Sequence, residues 1–328
     1  MIERRHSLRL LCLLLLLLPV TALGQASSLR LNPEAATFTA MTYDNGADGP
    51  LKNPGFAFYD KRAGELFVAA TGNRRIVVYD FDLTPKFAFQ HFVRDQKGEN
   101  MVLGEPKAVV VNSHGDMLVI DNLADYVDVL DFRGKSFQQL HPNHLLGDTT
   151  LKVKADLITI DDSDNVYLSV VGDITAVLAL DRNLNFKRRL IEHTADSNAI
   201  VGPLAMAVMD SLLLLTEFRE APVLKLFDTT GRYLTGFGGR DIAREDFSMA
   251  IAAAIYRDSA GNLSFLVADA LRQVIKRVAA DGSLIASFGG FGAYPGALSY
   301  PAGLAYAGNR TCFVVERVGA RIQRFVIK

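Results

Sequence analysis

One unit of about 49 residues recurs six times along this chain, and this period constrains the fold more than any other feature. Each copy begins with a proline or a small residue and continues with an apolar strand, a Gly/Asp/Asn turn and a second strand that often ends in an acid. Two further strands complete the copy. The copies start near Pro54, Pro106, Ala155, Pro203, Ala252 and Pro301. Four short strands per copy at this period predict an all-β, six-bladed β-propeller of four-stranded antiparallel blades.

The sixth copy is one strand short, because the chain ends at Lys328 where the other copies turn into a fourth strand. Residues 36–43 lie before the first complete copy and alternate between apolar and polar side chains. They can supply the missing strand, and that closure removes the exposed edges of an open ring. We therefore expect a propeller over residues 27–328 in which residues 36–43 complete blade six.

The first 26 residues differ in character from the rest of the chain. Three arginines precede an apolar run over residues 10–20, and small residues follow it. These flanking residues are Arg4, Arg5, Arg9, Ala22, Gly24 and Ala26. The pattern predicts a signal peptide over residues 1–26 and a secreted or periplasmic protein with no membrane span in its mature chain. The alternative is an uncleaved N-terminal anchor.

The charge balance argues against nucleic acid as a partner, and the cysteine content argues against a disulfide or a reactive thiol. The 35 basic and 36 acidic residues nearly balance, and basic residues alternate with acids in the loops, whereas a nucleic-acid surface would be one-sided. Removal of residues 1–26 would leave Cys312 alone in an apolar strand, where a buried small hydrophobe is favoured over a reactive thiol. We expect a monomer that binds a protein or a glycan.

Several segments resemble the repeat of the NHL family. Three segments resemble the junction between two such repeats: Phe288-Gly289-Gly290, Pro295-Gly296 and the six residues from Tyr300 to Ala305. Residues 68–80 resemble the second half of the repeat but depart from it at Ala70, where the family usually has Asp. The resemblance covers residues 35–328 and implies an exported bacterial six-bladed propeller. It does not imply a function, because one fold serves many functions.

Some propellers of similar shape are enzymes, namely gluconolactonase-like and paraoxonase-like hydrolases and the amidating lyase, which hold Ca²⁺ or Zn²⁺ near the axis. This chain has no histidine on a first strand, and its one close pair is His141 and His144. The first strands also lack the interior Glu and Asn that a calcium hydrolase of this shape would need. The sequence therefore predicts no catalytic residue, no metal and no cofactor, with Ca²⁺ as the alternative.

Acids recur at the ends of the second strands in four copies, at Asp121, Glu217, Asp269 and Glu316. These four are the candidates for a metal site, since in a ring they would surround one mouth of the channel. The alternative is that each carboxylate accepts hydrogen bonds from the backbone of its own loop. We favour the alternative, because the repeat itself generates the position.

Long loops on a rigid scaffold usually carry function. The candidate loops join second to third strands or connect blades, over residues 94–100, 143–154, 216–222 and 240–247. The expected ligand-binding face comprises Arg74, Arg75, Arg219, Glu220, Arg272 and Arg317. The sequence predicts a non-enzymatic binding or scaffold propeller that uses this face. The alternative is a metal-dependent hydrolase or lyase with a site at the mouth of the axial channel.

Overall fold

The computed structural model describes residues 35–47, 49–95, 98–192 and 200–328. Six four-stranded antiparallel sheets follow one another around a ring, so the predicted six-bladed propeller is confirmed. The signal peptide expected over residues 1–26 lies outside the described residues, as does His193. No helix in the described ranges is long and apolar enough to cross a bilayer.

The blades are composed as follows, from the innermost strand outwards. Blade one contains β2 Pro54–Asp60, β3 Glu65–Ala70, β4 Arg75–Tyr79 and β5 Pro85–Gln90. Blade two contains β8 Pro106–Val111, β9 Met117–Asp121, β10 Val127–Leu130 and β11 Ser136–Leu140. Blade three contains β12 Val153–Ile160, β13 Val166–Gly172, β14 Ala176–Leu180 and β15 Phe186–Glu192.

The second half of the ring repeats this arrangement. Blade four contains β16 Pro203–Met209, β17 Leu212–Glu217, β18 Leu224–Asp228 and β19 Tyr233–Phe237. Blade five contains β20 Ala250–Arg257, β21 Leu263–Asp269, β22 Val274–Ala279 and β23 Leu284–Gly289. Blade six contains β24 Pro301–Gly308, β25 Thr311–Glu316, β26 Arg321–Ile327 and β1 Ala36–Thr42. The connections hold a hairpin of β6 Phe92–Arg94 and β7 Met101–Leu103, a 3₁₀ turn Thr71–Asn73 and α1 Pro142–Leu145.

The ring closes through the composite sixth blade. Strand β1 pairs antiparallel with β26, from Ala36 opposite Ile327 to Thr42 opposite Ile322. The ring of Phe38 meets that of Phe325 edge-on, with centroids 6.2 Å apart. The predicted pairing of the N-terminal strand with the last blade is therefore confirmed, and both ends of the described chain are held in one sheet.

The core lies between neighbouring blades, where the apolar faces of adjacent sheets pack together. The innermost strands of blades four, five and six are rich in alanine, which suits the limited room where the strands converge on the axis. Ala205, Ala207, Ala252 and Ala254 are buried beside the channel. At Gly303 a Cβ atom would lie 3.1 Å from the backbone of Phe56 and Ala57, so a side chain there would push the backbone of blade one back by a few tenths of an ångström.

Each innermost strand has a β-bulge near its start, shown by a shift of the pairing register with the second strand. A bulge re-aims the side chain of the extra residue. The extra residues are Gly55, Lys107, Asp156, Leu204, Ile251 and Ala302. All six line the axial channel at the end where the innermost strands begin, which we call the bulge mouth.

Candidate functional site

A cavity of about 700 Å³ lies between the innermost strands, along the axis of the ring. Its volume falls within the range of about 300–1,000 Å³ that is usual for small-molecule sites. The bulge mouth forms one end of the cavity, and residues at the ends of the innermost strands, including Asp60 and Asp161, form the other. The channel is therefore the concave site at which a small ligand could bind.

Charged groups from neighbouring blades meet at the bulge mouth. Lys107 of blade two and Asp156 of blade three occupy equivalent bulge positions, and their Nζ and Oδ1 atoms lie 2.5 Å apart. The side chains are 36% and 21% exposed, so the pair is partly desolvated but open to the channel. An ammonium group beside a carboxylate places a proton donor and a proton acceptor side by side.

Arg317 adds a second cation to the bulge mouth. It follows β25 directly, lines the cavity and lies against blade one, where a Cβ atom added at Gly55 would come within 3.2 Å of Nη2. The guanidinium carbon lies 5.5 Å from the centroid of the Tyr300 ring. Within the described ranges the guanidinium makes no hydrogen bond, and its Nε is buried without a partner.

The other half of the bulge mouth is apolar. Leu204, Ile251 and Ala302 occupy the bulge positions of blades four, five and six. The wall further along the channel is also largely apolar, with residues such as Ile158 and Leu304. The mouth is thus divided between charged groups on one side and aliphatic groups on the other, which suits an amphipathic ligand.

The opposite mouth is lined by an arginine whose donors are already paired. Arg62 donates to Oδ1 of Asp60 and Oδ1 of Asp164, both at 3.3 Å, and to the carbonyl of Val111 at 3.2 Å. These contacts link the first three blades. The guanidinium of Arg62 is therefore occupied by structural contacts, in contrast to that of Arg317.

The four acids at the ends of the second strands are buried, and none of them lines the channel. Each accepts backbone N–H groups from the loop that precedes its own blade. Asp121 accepts from Glu105, Glu217 from Val201 and Gly202, Asp269 from Ser248 and Met249, and Glu316 from Ser299. Their carboxylates thus fasten the inter-blade connections.

Buried polar groups on third strands contact two of these acids. Lys276 lies 3.3 Å from Oδ2 of Asp269, and Gln323 donates to Glu316 at 2.6 Å. Arg321 also donates to Glu316, at 2.7 Å. Burial lowers the pKa of Lys276 to about 8, against the opposing effect of the Asp269 charge. These groups serve the packing between blades rather than the channel.

The residues expected on the ligand-binding face are not brought together. Arg74 pairs with Glu105 at 3.1 Å, and Arg75 donates to the carbonyl of Asn73. Arg219 and Glu220 are exposed on the loop after β17. Arg272 is mostly buried and donates to Ser248 and to the carbonyls of Ala243 and Arg244. Of the six residues, Arg317 alone lines the channel.

The sequence did not predict two of the channel residues, Lys107 and Asp156. Both side chains enter the channel at bulges of the innermost strands. The signal that could have found them is positional. Each stands directly after a proline or alanine near the start of its repeat, where the other copies have Gly, Leu, Ile or Ala.

Histidines do not form a site at the axis. His91 is buried between two carboxylates, with Nδ1 2.8 Å from Asp121 and Nε2 3.1 Å from Asp128. The rings of His141 and His144 lie 5.1 Å apart on the outer connection around α1. In the ranges that the structure describes, no three His, Cys, Asp or Glu side chains are grouped as metal ligands would be.

The bulge mouth does not fit a calcium ion. Ca²⁺ takes about six to eight oxygen ligands, several of them carboxylates. Among the six bulge positions Asp156 supplies one carboxylate, which Lys107 already neutralises, and Arg317 brings a second positive charge to the same mouth. The donor set therefore favours an anionic ligand over a divalent cation.

Comparisons with known proteins support the fold. A streptogramin B lyase superposes with a TM-score of 0.58 at 12% identity, over 90% of this chain and 100% of that one. A gluconolactonase from Xanthomonas campestris gives a TM-score of 0.60 at 9% identity, over 91% and 96% of the two chains. Regucalcin from Agrobacterium tumefaciens, a calcium-binding protein, gives 0.55 at 12% identity, over 88% and 94%. No family model and no curated protein sequence matches this chain.

These comparisons correct the expectation of a non-enzymatic scaffold. Structures that superpose over nearly the whole ring are named for a lyase and for a gluconolactonase, so they favour the alternative of a propeller hydrolase or lyase. At 9–12% identity the likeness itself shows the fold alone. The activity of this chain has to be argued from the chemistry of its own channel.

Proposed function

We propose that this protein is an enzyme that cleaves a C–O bond of a small ester or lactone at the bulge mouth, by hydrolysis or by elimination. The observation that carries the proposal is the Lys107–Asp156 pair, a proton donor and a proton acceptor 2.5 Å apart at the mouth of a cavity of ligand size. The lyase and gluconolactonase among the similar structures support the same class. Export by a signal peptide and the NHL-type character of the repeats remain part of the proposal.

Both routes use the same two groups. In hydrolysis the Asp156 carboxylate takes a proton from water, the water oxygen adds to the carbonyl carbon, and the C–O bond breaks. The Lys107 ammonium group donates the proton that the leaving oxygen needs. In elimination Asp156 instead removes a proton from the carbon adjacent to the one that bears the ester oxygen. A C=C bond forms, the C–O bond breaks, and the Lys107 ammonium group stabilises the departing carboxylate by a hydrogen bond. A positioned acid or base typically contributes about 10²–10⁴-fold to the rate.

Asp156→Asn is expected to lower turnover of the best substrate by at least about 100-fold, because it removes the proton acceptor. The measurement is acid release in a pH-stat with a panel of aliphatic lactones and esters. Mass spectrometry distinguishes the routes, since hydrolysis adds one water to the product and elimination does not. A matched control is Glu65→Gln, which removes a carboxylate paired with Lys86 outside the channel.

Two outcomes would contradict the proposal. One is full turnover by Asp156→Asn, which would place the chemistry elsewhere. The other is no turnover of any panel member by the unaltered protein. Thermal unfolding of each variant separates a loss of chemistry from a loss of fold.

Dialysis against EDTA is expected to leave this turnover unchanged. The reason is the donor set of the bulge mouth, where Lys107 and Arg317 oppose the binding of a divalent cation. Turnover measured before dialysis, after dialysis and after addition of CaCl₂ checks the expectation. Activity that is lost on dialysis and restored by Ca²⁺ would show that it is wrong.

A further inference from the structure

The bulge mouth carries an unmatched positive charge. Asp156 balances Lys107, with which it is paired, but within the described residues no carboxylate pairs with Arg317. The nearest acid along the chain, Glu316, is occupied by Arg321 and Gln323. A buried donor without a partner, such as Nε of Arg317, is rare in native proteins and points to a ligand.

Arg317 is nevertheless held in place. Its guanidinium packs over the ring of Tyr300, a contact that does not use its N–H groups. Its backbone N–H donates to the carbonyl of Tyr300 at 2.9 Å. The absence of a side chain at Gly55 leaves room for Nη2 over the first strand of blade one. The guanidinium is therefore fixed at the channel, where Nε is buried and the two terminal NH₂ groups, which have no hydrogen-bond partner among the described residues, are free to bind an anion.

We propose that Arg317 binds the carboxylate of a small monocarboxylate whose apolar body lies against Leu204 and Ile251 on the opposite side of the bulge mouth. This inference rests on the proposed function, in that the monocarboxylate is the product of ester or lactone cleavage or a substrate that carries the same group. The charges of Arg317, Lys107 and Asp156 sum to +1 at the bulge mouth, and a single carboxylate neutralises this charge.

The same charge balance disfavours a phosphate monoester. Guanidinium binds carboxylate and phosphate with similar bidentate geometry, so geometry alone does not choose between them. A phosphate dianion, however, would bring excess negative charge beside Asp156. The apolar bulge residues and channel wall further favour a ligand with a single charged end.

The test is isothermal titration calorimetry with hexanoate, its neutral analogue hexanamide, and hexyl phosphate. Arg317→Met is expected to weaken hexanoate binding by about 10- to 100-fold, as loss of a charge-assisted hydrogen bond would, and to leave hexanamide binding unchanged. Arg317→Lys keeps the charge without the planar donor pair and is expected to give an intermediate affinity. The control is Arg133→Met, which removes an exposed arginine beside Phe132, away from the channel.

Equal hexanoate affinity in the unaltered protein and Arg317→Met would overturn the inference, and so would hexyl phosphate binding more tightly than hexanoate. These results are independent of turnover. Arg317-dependent hexanoate binding without turnover of any lactone or ester would defeat the proposed function and leave the carboxylate site standing. Turnover of a lactone or ester by the unaltered protein, together with normal hexanoate binding by Arg317→Met, would defeat the carboxylate site and leave the proposed function standing.

Discussion

A chain that begins at Asp44, and therefore lacks β1, is expected to unfold at least about 10 °C below a chain that begins at Leu31. Without β1, strand β26 becomes an exposed edge and Ala36 leaves the core between blades five and six. Phe38, which is half-buried, loses its contact with Phe325, at a cost of about 2–3 kcal/mol. The lost strand ladder adds to this, and for a chain of this size each kcal/mol lowers Tm by about 2–4 °C.

Differential scanning calorimetry of the two truncated chains measures the effect. The chain from Leu31 is the matched control, since it lacks the N-terminal segment but keeps β1. Equal melting temperatures would contradict the prediction, because they would mean that β26 needs no partner. A loss of cooperativity in the shorter chain would show, in addition, that closure couples the six blades.

The ring could be predicted from the sequence because the pattern that indicates it is spread over all six repeats. Strand pattern and turn residues recur in each copy, so no single position decides the fold. The composite sixth blade could be predicted by counting strands. The last copy is one strand short, and residues 36–43 form an additional strand before the first copy. The pairing of Ala36 with Ile327 bears this out.

The site could not be predicted in the same way, because it depends on bulges. Lys107 and Asp156 precede apolar strands and look like loop residues in the sequence, yet the bulges turn their side chains into the channel. Their ion pair joins two blades, which no pattern within one repeat reveals. Arg317 was among the predicted residues of the loop face, but its position over Gly55 depends on the contact between blades six and one.

His91→Leu is expected to destabilise the protein by about 3–5 kcal/mol, because it leaves two buried carboxylates without their shared partner. The imidazole lies between Asp121 and Asp128, and all three side chains are nearly inaccessible to solvent. Asp128 also accepts a hydrogen bond from Ser136, and Asp121 accepts from the backbone of Glu105. The group joins the connection after blade one to the sheet of blade two.

The effect is expected to depend on pH. Burial alone would lower the pKa of His91, but hydrogen bonds and charges from Asp121 and Asp128 outweigh it and raise the pKa. A raised pKa in the folded state means that the stabilisation is complete below the unfolded value of about 6.5. It is lost as the pH rises through the folded value. The difference in unfolding free energy between the unaltered protein and His91→Leu should therefore be larger near pH 6 than near pH 9.

Urea unfolding at the two pH values measures this difference. His114→Leu is the control, since His114 is exposed in the turn between β8 and β9 and should cost little at either pH. A second variant, His91→Leu with Asp128→Asn, should recover part of the lost stability, because one of the two stranded charges is gone. If the difference were the same at both pH values, His91 would be neutral in the folded protein.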